Sequence, residues 1–236
     1  MIFLTGKIMR DFIIKRLQNS IIKLERVGVK LRKIEKDIIM QAGLLLSEAL
    51  REISYPNIPG HELEHSFRVF ELAIYIWWHE RKGDFRKIVF SALFHDIMRG
   101  KENHAFYSAK FTREFLKNKN FDDIADDVAR IINEHSYSAK LKPSSFESAI
   151  LQDADKLDAL GAIGIARVFA YGGHLKRQLY NPEDPTKGES LGHFFEKILK
   201  LPKLMNTETG KKLALKRVKV ILEFIRQFFR ELNLLE

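Results

Sequence analysis

The chain has 236 residues, 45% hydrophobic and 30% charged, the balance of a globular protein long enough to bury a sizeable core. It has no cysteine, which excludes disulfides, thiolate metal sites and a cysteine nucleophile and favours an intracellular setting. Its net charge of +9 favours anionic partners such as nucleotides, nucleic acid or acidic lipid, but the basic residues are dispersed, as on a solvated surface.

No apolar run reaches membrane-spanning length, and MIFLTGKIMRDFIIKRL has neither a continuous apolar stretch nor a cleavage site. The expected location is therefore cytoplasmic. Strand signals are scarce and helical periodicity is general, so the chain is expected to be all-α. Residues 7–53 read as one or two amphipathic helices, with Ile13, Leu17, Ile21 and Leu24 on one stripe. The run Tyr55–Gly60 breaks the pattern, and a helix is expected from about His61 to His79, closed by Gly83.

Asp84 is positioned to cap the next helix, which carries Ile88, Val89, Ala92 and Leu93 towards His95-Asp96. Asn103 is expected to cap a helix to about Lys117, and Asp122 another to about Glu134. Pro143-Ser144-Ser145 opens what reads as one long apolar helix to about Tyr171, ended by Gly172-Gly173. Tyr180–Ser190 reads as a loop, followed by helices over about 190–201 and 206–233. Trp77, Trp78, Phe224, Phe228 and Phe229 have the spacing of core aromatics.

Chemistry concentrates in HELEHSFRVFELA, SALFHDIM and LQDADKLDALG. His61 and His65 share a helical face and either could ligate a metal; the plainer alternative is a polar surface pair. His95-Asp96 ends a mostly apolar helix, where a carboxylate needs a partner or a metal. In the third segment Asp155 and Asp158 lie about 60° apart on a regular helix, whereas Asp153 points about 160° from Asp155. One ion therefore cannot take both Asp153 and Asp155. Asp155 is the better ligand candidate, with Ala159, Ala162 and Ala166 on its side leaving room for a neighbour or a ligand. Asp153 is expected to support a histidine or a basic residue from behind. An internal salt bridge to Lys156 or Arg167 is the competing account of these aspartates. His104 and His135 stand at helix ends, where they could add a second cation.

The order HELEHSFRV, LFHDI, DADKLDALGAIGIAR resembles the HD superfamily of metal-dependent phosphohydrolases, with the strongest likeness over roughly residues 58–175. The segment His135–Ser138 and the tail HFFEKILKLPKLMNTETGKKLA extend the similarity to stand-alone HD-domain hydrolases. The resemblance implies a helical bundle with a metal site in its core, made of His65, His95, Asp96 and Asp155, with His104 and His135 as the extra ligands of two-metal members. The amphipathic N-terminal 50 or so residues lie outside the likeness, so the chain is expected to divide into an N-terminal helical extension over 1–54 and a hydrolase domain with C-terminal helices over 55–236. Ile97-Met98-Arg99 and the lack of a GYP segment depart from the cyclic-dinucleotide phosphodiesterase branch.

The expected reaction is hydrolysis of a phosphate ester, of a nucleotide or a related small molecule, in which a cation acidifies water and polarises a phosphoryl oxygen. Candidates for moving the proton are Glu134, Asp158 and Glu62, with His61 supporting the ligands from behind. Arg99, Lys156, Arg167, His193 and Lys197 are candidates to hold phosphate. A nitrogen and oxygen set without sulfur suits Mn, Fe, Co, Ni, Zn or Mg, as one ion or two. The rival readings are a metal-stabilised helical scaffold and a basic nucleic-acid-binding module. The second is disfavoured, because it needs basic residues and stacking aromatics gathered on one face. The amphipathic N-terminal extension is a candidate surface for homo-oligomers.

Overall fold

A computed structural model describes residues 6–53, 55, 58–60, 62–137 and 141–234. Among these the secondary structure is helical throughout, with no strand. The α-helices are α1 (Gly6–Arg26), α2 (Lys33–Glu52), α3 (Leu63–Glu80), α4 (Phe85–Phe94), α5 (His104–Asn118), α6 (Asp122–Glu134), α7 (Phe146–Asp158), α8 (Gly161–His174), α9 (Glu189–Glu196) and α10 (Glu208–Leu232). A 3-10 segment, Ile198–Leu204, containing Pro202, joins the last two. No described helix is long and apolar enough to cross a membrane.

The N-terminal segment is two helices. α1 buries Ile13, Leu17, Ile21 and Leu24 on one stripe, and the chain turns at Gly28, whose φ of 91 suits glycine. α2 returns so closely that a Cβ on Gly43 would meet Leu17 Cδ1 at 2.3 Å. The buried faces of both helices merge with those of α3, α4, α6 and α7 in one apolar cluster. Polar groups add to this join. Arg16 Nε donates to Glu64 Oε2 at 2.9 Å, and its Nη1 to Glu71 Oε1 at 2.9 Å. Ser20 Oγ also donates to Glu71, at 2.9 Å, and Lys23 pairs with the same carboxylate.

α3 runs through the middle and packs against α1, α4, α7 and α10. Asp84 caps α4, its Oδ1 accepting from Arg86 N and Lys87 N at 2.9 and 3.2 Å. Other expected caps differ. Arg81, at φ 56, takes the left-handed C-cap of α3 two residues before Gly83. Asn103 precedes α5 in a left-handed conformation with no side-chain cap bond, and Phe121 holds the N-cap position before α6.

The long apolar helix expected over 143–171 is broken. Ser145 caps α7, which ends at Asp158; Leu160 is extended, and Gly161, at φ 76, starts α8 in a new direction. The apolar run hides this break, because Ala-Leu-Gly-Ala-Ile continues the composition while only Gly161 adopts the left-handed geometry. α7 is buried almost all round, but Ala162, Ile163 and Ala166 of α8 are exposed. The alanine face expected to continue from Asp155 therefore stops at the break.

Asp153 fixes α10 to α7. Its carboxylate accepts from Asn206 N at 2.8 Å, Asn206 Nδ2 at 3.0 Å, Thr207 N at 2.7 Å and Thr207 Oγ1 at 2.8 Å. Thr207 in turn caps α10 through Gly210 N. A Cβ on Gly210 would meet Asp153 Oδ2 at 2.4 Å, so glycine there is what permits the approach. Asp153→Ala strips a buried helix terminus of its acceptor and is expected to cost about 2–3 kcal/mol in urea unfolding. A loss below about 0.5 kcal/mol, the range of an ordinary surface substitution, would refute this role.

Candidate metal centre and its cavity

α4 ends at Phe94, and the chain then closes tight turns through Ile97 N to Phe94 O and Arg99 N to Asp96 O. On a continuing helix, adjacent side chains would diverge by about 100°. Here both side chains reach one centre, with His95 Nε2 3.8 Å from Asp96 Oδ2. His95 Nδ1 donates to Ala92 O at 2.8 Å, and His135 Nδ1, at the end of α6, donates to Ile132 O at 2.6 Å. A carbonyl oxygen only accepts, so each ring keeps its Nε2 for the centre. His65 Nδ1 donates to Asp158 Oδ2 at 2.7 Å, which leaves its Nε2 facing inward too.

These groups converge on Asp96, whose side chain is 1% exposed. Oδ2 lies 3.5 Å from His65 Nε2 and 3.8 Å from His95 Nε2. Oδ1 lies 3.3 Å from His104 Nε2 and 3.5 Å from His135 Nε2. From α7, Asp155 brings Oδ1 to 3.3 Å from His65 Nε2 while its side chain stays 24% exposed. Among the described residues, two sets have ligand atoms all within 4.8 Å of one another: His65, His95 and Asp155, and His95, Asp96 and His135.

Burial pushes His95 down to about 3, so its ring is neutral with a free lone pair. For His65 burial also lowers the pKa, but hydrogen bonds to Asp155 and Asp158 outweigh it and raise the net value. His135 is raised in the same way, by Asp96. Burial alone would raise Asp155, yet His65 beside it holds its carboxyl well below the usual range. Imidazole nitrogens and carboxylate oxygens without sulfur suit a divalent cation, which would displace the protons those imidazoles hold.

The centre opens into a cavity of about 310 Å³, within the range of small-molecule sites. Asp155, His104 and His135 lie at its base, and Arg99, Lys156, Arg167, Arg177 and Lys197 line it with Tyr137, Tyr171 and His193. Lys156 is 7% exposed and donates to Gln152 Oε1 at 3.1 Å. Gln152 is locked in turn, its Nε2 donating to Glu134 O at 2.8 Å and Leu141 O at 3.0 Å. Lys197 Nζ sits 4.9 Å over the Tyr137 ring.

An HD-domain family model matches residues 63–160, the span from the start of α3 to the end of the Asp155 helix. YpgQ of Bacillus subtilis (strain 168), an uncharacterized protein, is 34% identical over 186 residues, 73% of this chain and 85% of that one. The chain belongs to the HD superfamily. The crystal structure of YpgQ in complex with ADP superposes with a TM-score of 0.66 at 31% identity, covering 81% of this chain and 97% of that one. An HD-superfamily hydrolase from Bacillus thuringiensis gives a TM-score of 0.66 at 34% identity, covering 84% and 98%. The HD membership makes this chain an enzyme of the metal-dependent phosphohydrolase kind.

The HD centre gathers His65, His95, Asp96, Asp155, His104 and His135 from α3, the α4 turn, α5, the end of α6 and α7. Other sequence candidates go elsewhere. His61 lies outside the described residues, as does Ser138. Asp153 faces α10, away from any ligand. Glu134 Oε2 accepts from Ser144 N at 3.0 Å, a contact that holds the loop before α7 and places no carboxylate in the cavity. Glu62 accepts from Gly60 N at 2.9 Å at the entry to α3.

Asp158 is part of an internal salt bridge. Arg68 donates to it through Nε at 2.7 Å and Nη2 at 2.9 Å, and Arg167 Nη1 adds a contact at 2.8 Å. It does not line the cavity, so its work is to orient His65 and fix its tautomer. Arg68, Gln152, Arg177, Tyr137 and Tyr171 are contributors that sequence reading missed. Only Arg68 left a signal, as a basic residue in an apolar stretch one turn after His65. Asp158→Asn is expected to weaken Mn²⁺ binding by about 10–100-fold in calorimetric titration, with the helical spectrum retained. Unchanged affinity would detach Asp158 from the centre.

Proposed function

We propose that His65, His95, Asp96 and Asp155 hold a divalent cation and that the chain hydrolyses a nucleotide carrying more than one phosphate. The observation that carries this reading is the pairing of the His/Asp centre with a cation-lined cavity directly above it. Among the described residues, neither Lys156 nor Lys197 has a carboxylate within ion-pair distance; their polar contacts are Gln152 and the face of Tyr137. Burial lowers the pKa of both ammonium groups, which marks a charge seated in a dry wall and suited to an anionic ligand. The ADP held by YpgQ supports a nucleotide over a simple phosphate.

When bound, the cation supplies a more acidic water and polarises a phosphoryl oxygen. The chain's own residues do the rest. Asp158 and the carbonyls of Ala92 and Ile132 hold three imidazoles with Nε2 inward, so the ligands need little reorganisation. Lys156 and Lys197 neutralise the non-reacting phosphates from the wall, while Arg177, exposed at the rim, meets the charge as it enters. Arg167 reaches from the cavity to Asp158 and so ties substrate charge to the group that orients His65. Tyr137 and Tyr171 offer aromatic edges and faces to a base.

The test is a panel of nucleoside mono-, di- and triphosphates and a generic phosphodiester, each with Mn, Ni, Co and Mg. Cation-dependent turnover of a polyphosphorylated nucleotide, lost in both His95→Ala and Asp96→Ala, is the expected result. Bound metal with no turnover of any substrate would overturn it in favour of a metal-stabilised scaffold. Lys156→Met and Lys197→Met are each expected to raise KM about tenfold, with kcat changed much less. Equal losses in kcat at constant KM would remove them from phosphate binding.

A further inference from the structure

Four imidazoles crowd around Asp96, and with Asp155 beside His65 there are donors enough for two cations, yet their lone pairs do not divide between two sites. The two metal-capable sets both draw on His95. Its Nδ1 is spent on Ala92 O, so it has one Nε2 lone pair and can serve one ion. His104 belongs to neither set. Arg99 Nη1 stands 2.9 Å from His104 Nε2, and a guanidinium has donors only, so that nitrogen accepts. The lone pair His104 would offer a cation is already engaged.

The same Nη1 lies 3.5 Å from Asp96 Oδ1, the oxygen that also faces His104 at 3.3 Å and His135 at 3.5 Å. The backbone fixes it there, since Arg99 N closes a turn onto Asp96 O at 3.0 Å. Arginine stays charged at every accessible pH, so this positive group cannot be titrated away to admit a cation.

We propose that Arg99 occupies the place of a second cation, making the centre mononuclear, with His104 as the seat of the guanidinium and not a metal ligand. This rests on the reading that the cluster is a metal centre. Arg99 also lines the cavity, so its fixed charge is available to the substrate phosphate beside the Asp96 carboxylate. It stabilises phosphoryl charge there without the exchange and selectivity of a bound ion.

The experiment counts ions. Chelator-stripped protein is dialysed against excess Mn²⁺ and the metal per chain read by elemental analysis, with calorimetric titration alongside. The wild type and His104→Ala are each expected to hold one ion. Arg99→Met, which removes the charge at similar length, is expected to hold two, and Arg99→Met with His104→Ala to return to one. Arg99→Lys keeps a cation in place and is expected to stay at one, which separates charge from shape if the Met variant folds poorly. Two ions in the wild type, with the second lost in His104→Ala, would overturn the proposal. So would a single ion in a folded Arg99→Met, or loss of the ion in His104→Ala. No ion in any form would instead sink the metal centre itself.

Discussion

Burying Asp96 and Asp158 at 1% side-chain exposure, around the same imidazole that Asp155 contacts, is the constraint to which the surrounding structure answers. Like charges in a low-dielectric core are costly unless each finds a cation or hydrogen-bond donor. Two arginines from different helices, Arg68 and Arg167, meet Asp158, and Arg99 and the imidazoles meet Asp96. The result is a division of labour between carboxylates of one sequence motif. Asp153 builds the fold, Asp155 faces the cavity, and Asp158 orients His65.

That division was partly legible beforehand. Helical geometry alone separates Asp153 from Asp155, and the structure turns them to α10 and to His65 respectively. What Asp153 does on its side was not legible, because its partners are backbone amides more than fifty positions away. The same limit applies to Glu134, whose partner Ser144 N depends on how one loop folds back. Local pattern carries periodicity and caps; it does not carry which distant amide meets a carboxylate.

The break between α7 and α8 had a different cause. Composition across 159–163 is uniformly apolar or small, so periodicity gave no reason to stop, and Gly161 looked like any glycine in a helix. Its consequence is functional. Because α8 leaves at an angle, Arg167 folds back onto Asp158, and Tyr171 and the residues after it reach the cavity. A continuous helix would have carried Arg167 on past Asp158 along the same axis.

The two sides of the cavity are built differently. On the ligand side α3 is clamped by the Arg16, Glu64 and Glu71 contacts to α1 and by the Asp158 cluster to α7, with large buried side chains such as Phe67, Phe70 and Ile74 between. The opposite wall, α8 with the stretch leading to α9, leaves Ile163, Leu175 and Leu179 exposed at 43%, 43% and 62%. Low burial means few contacts are lost when such a wall moves. The His/Asp centre thus sits on the densely packed side, and the basic cavity wall that the proposed function assigns to phosphate sits on the sparse one. Arg167 spans both, touching Asp158 on one side and the cavity on the other. Arg167 and Asp158 thus link the sparse wall to His65 by a chain of two contacts.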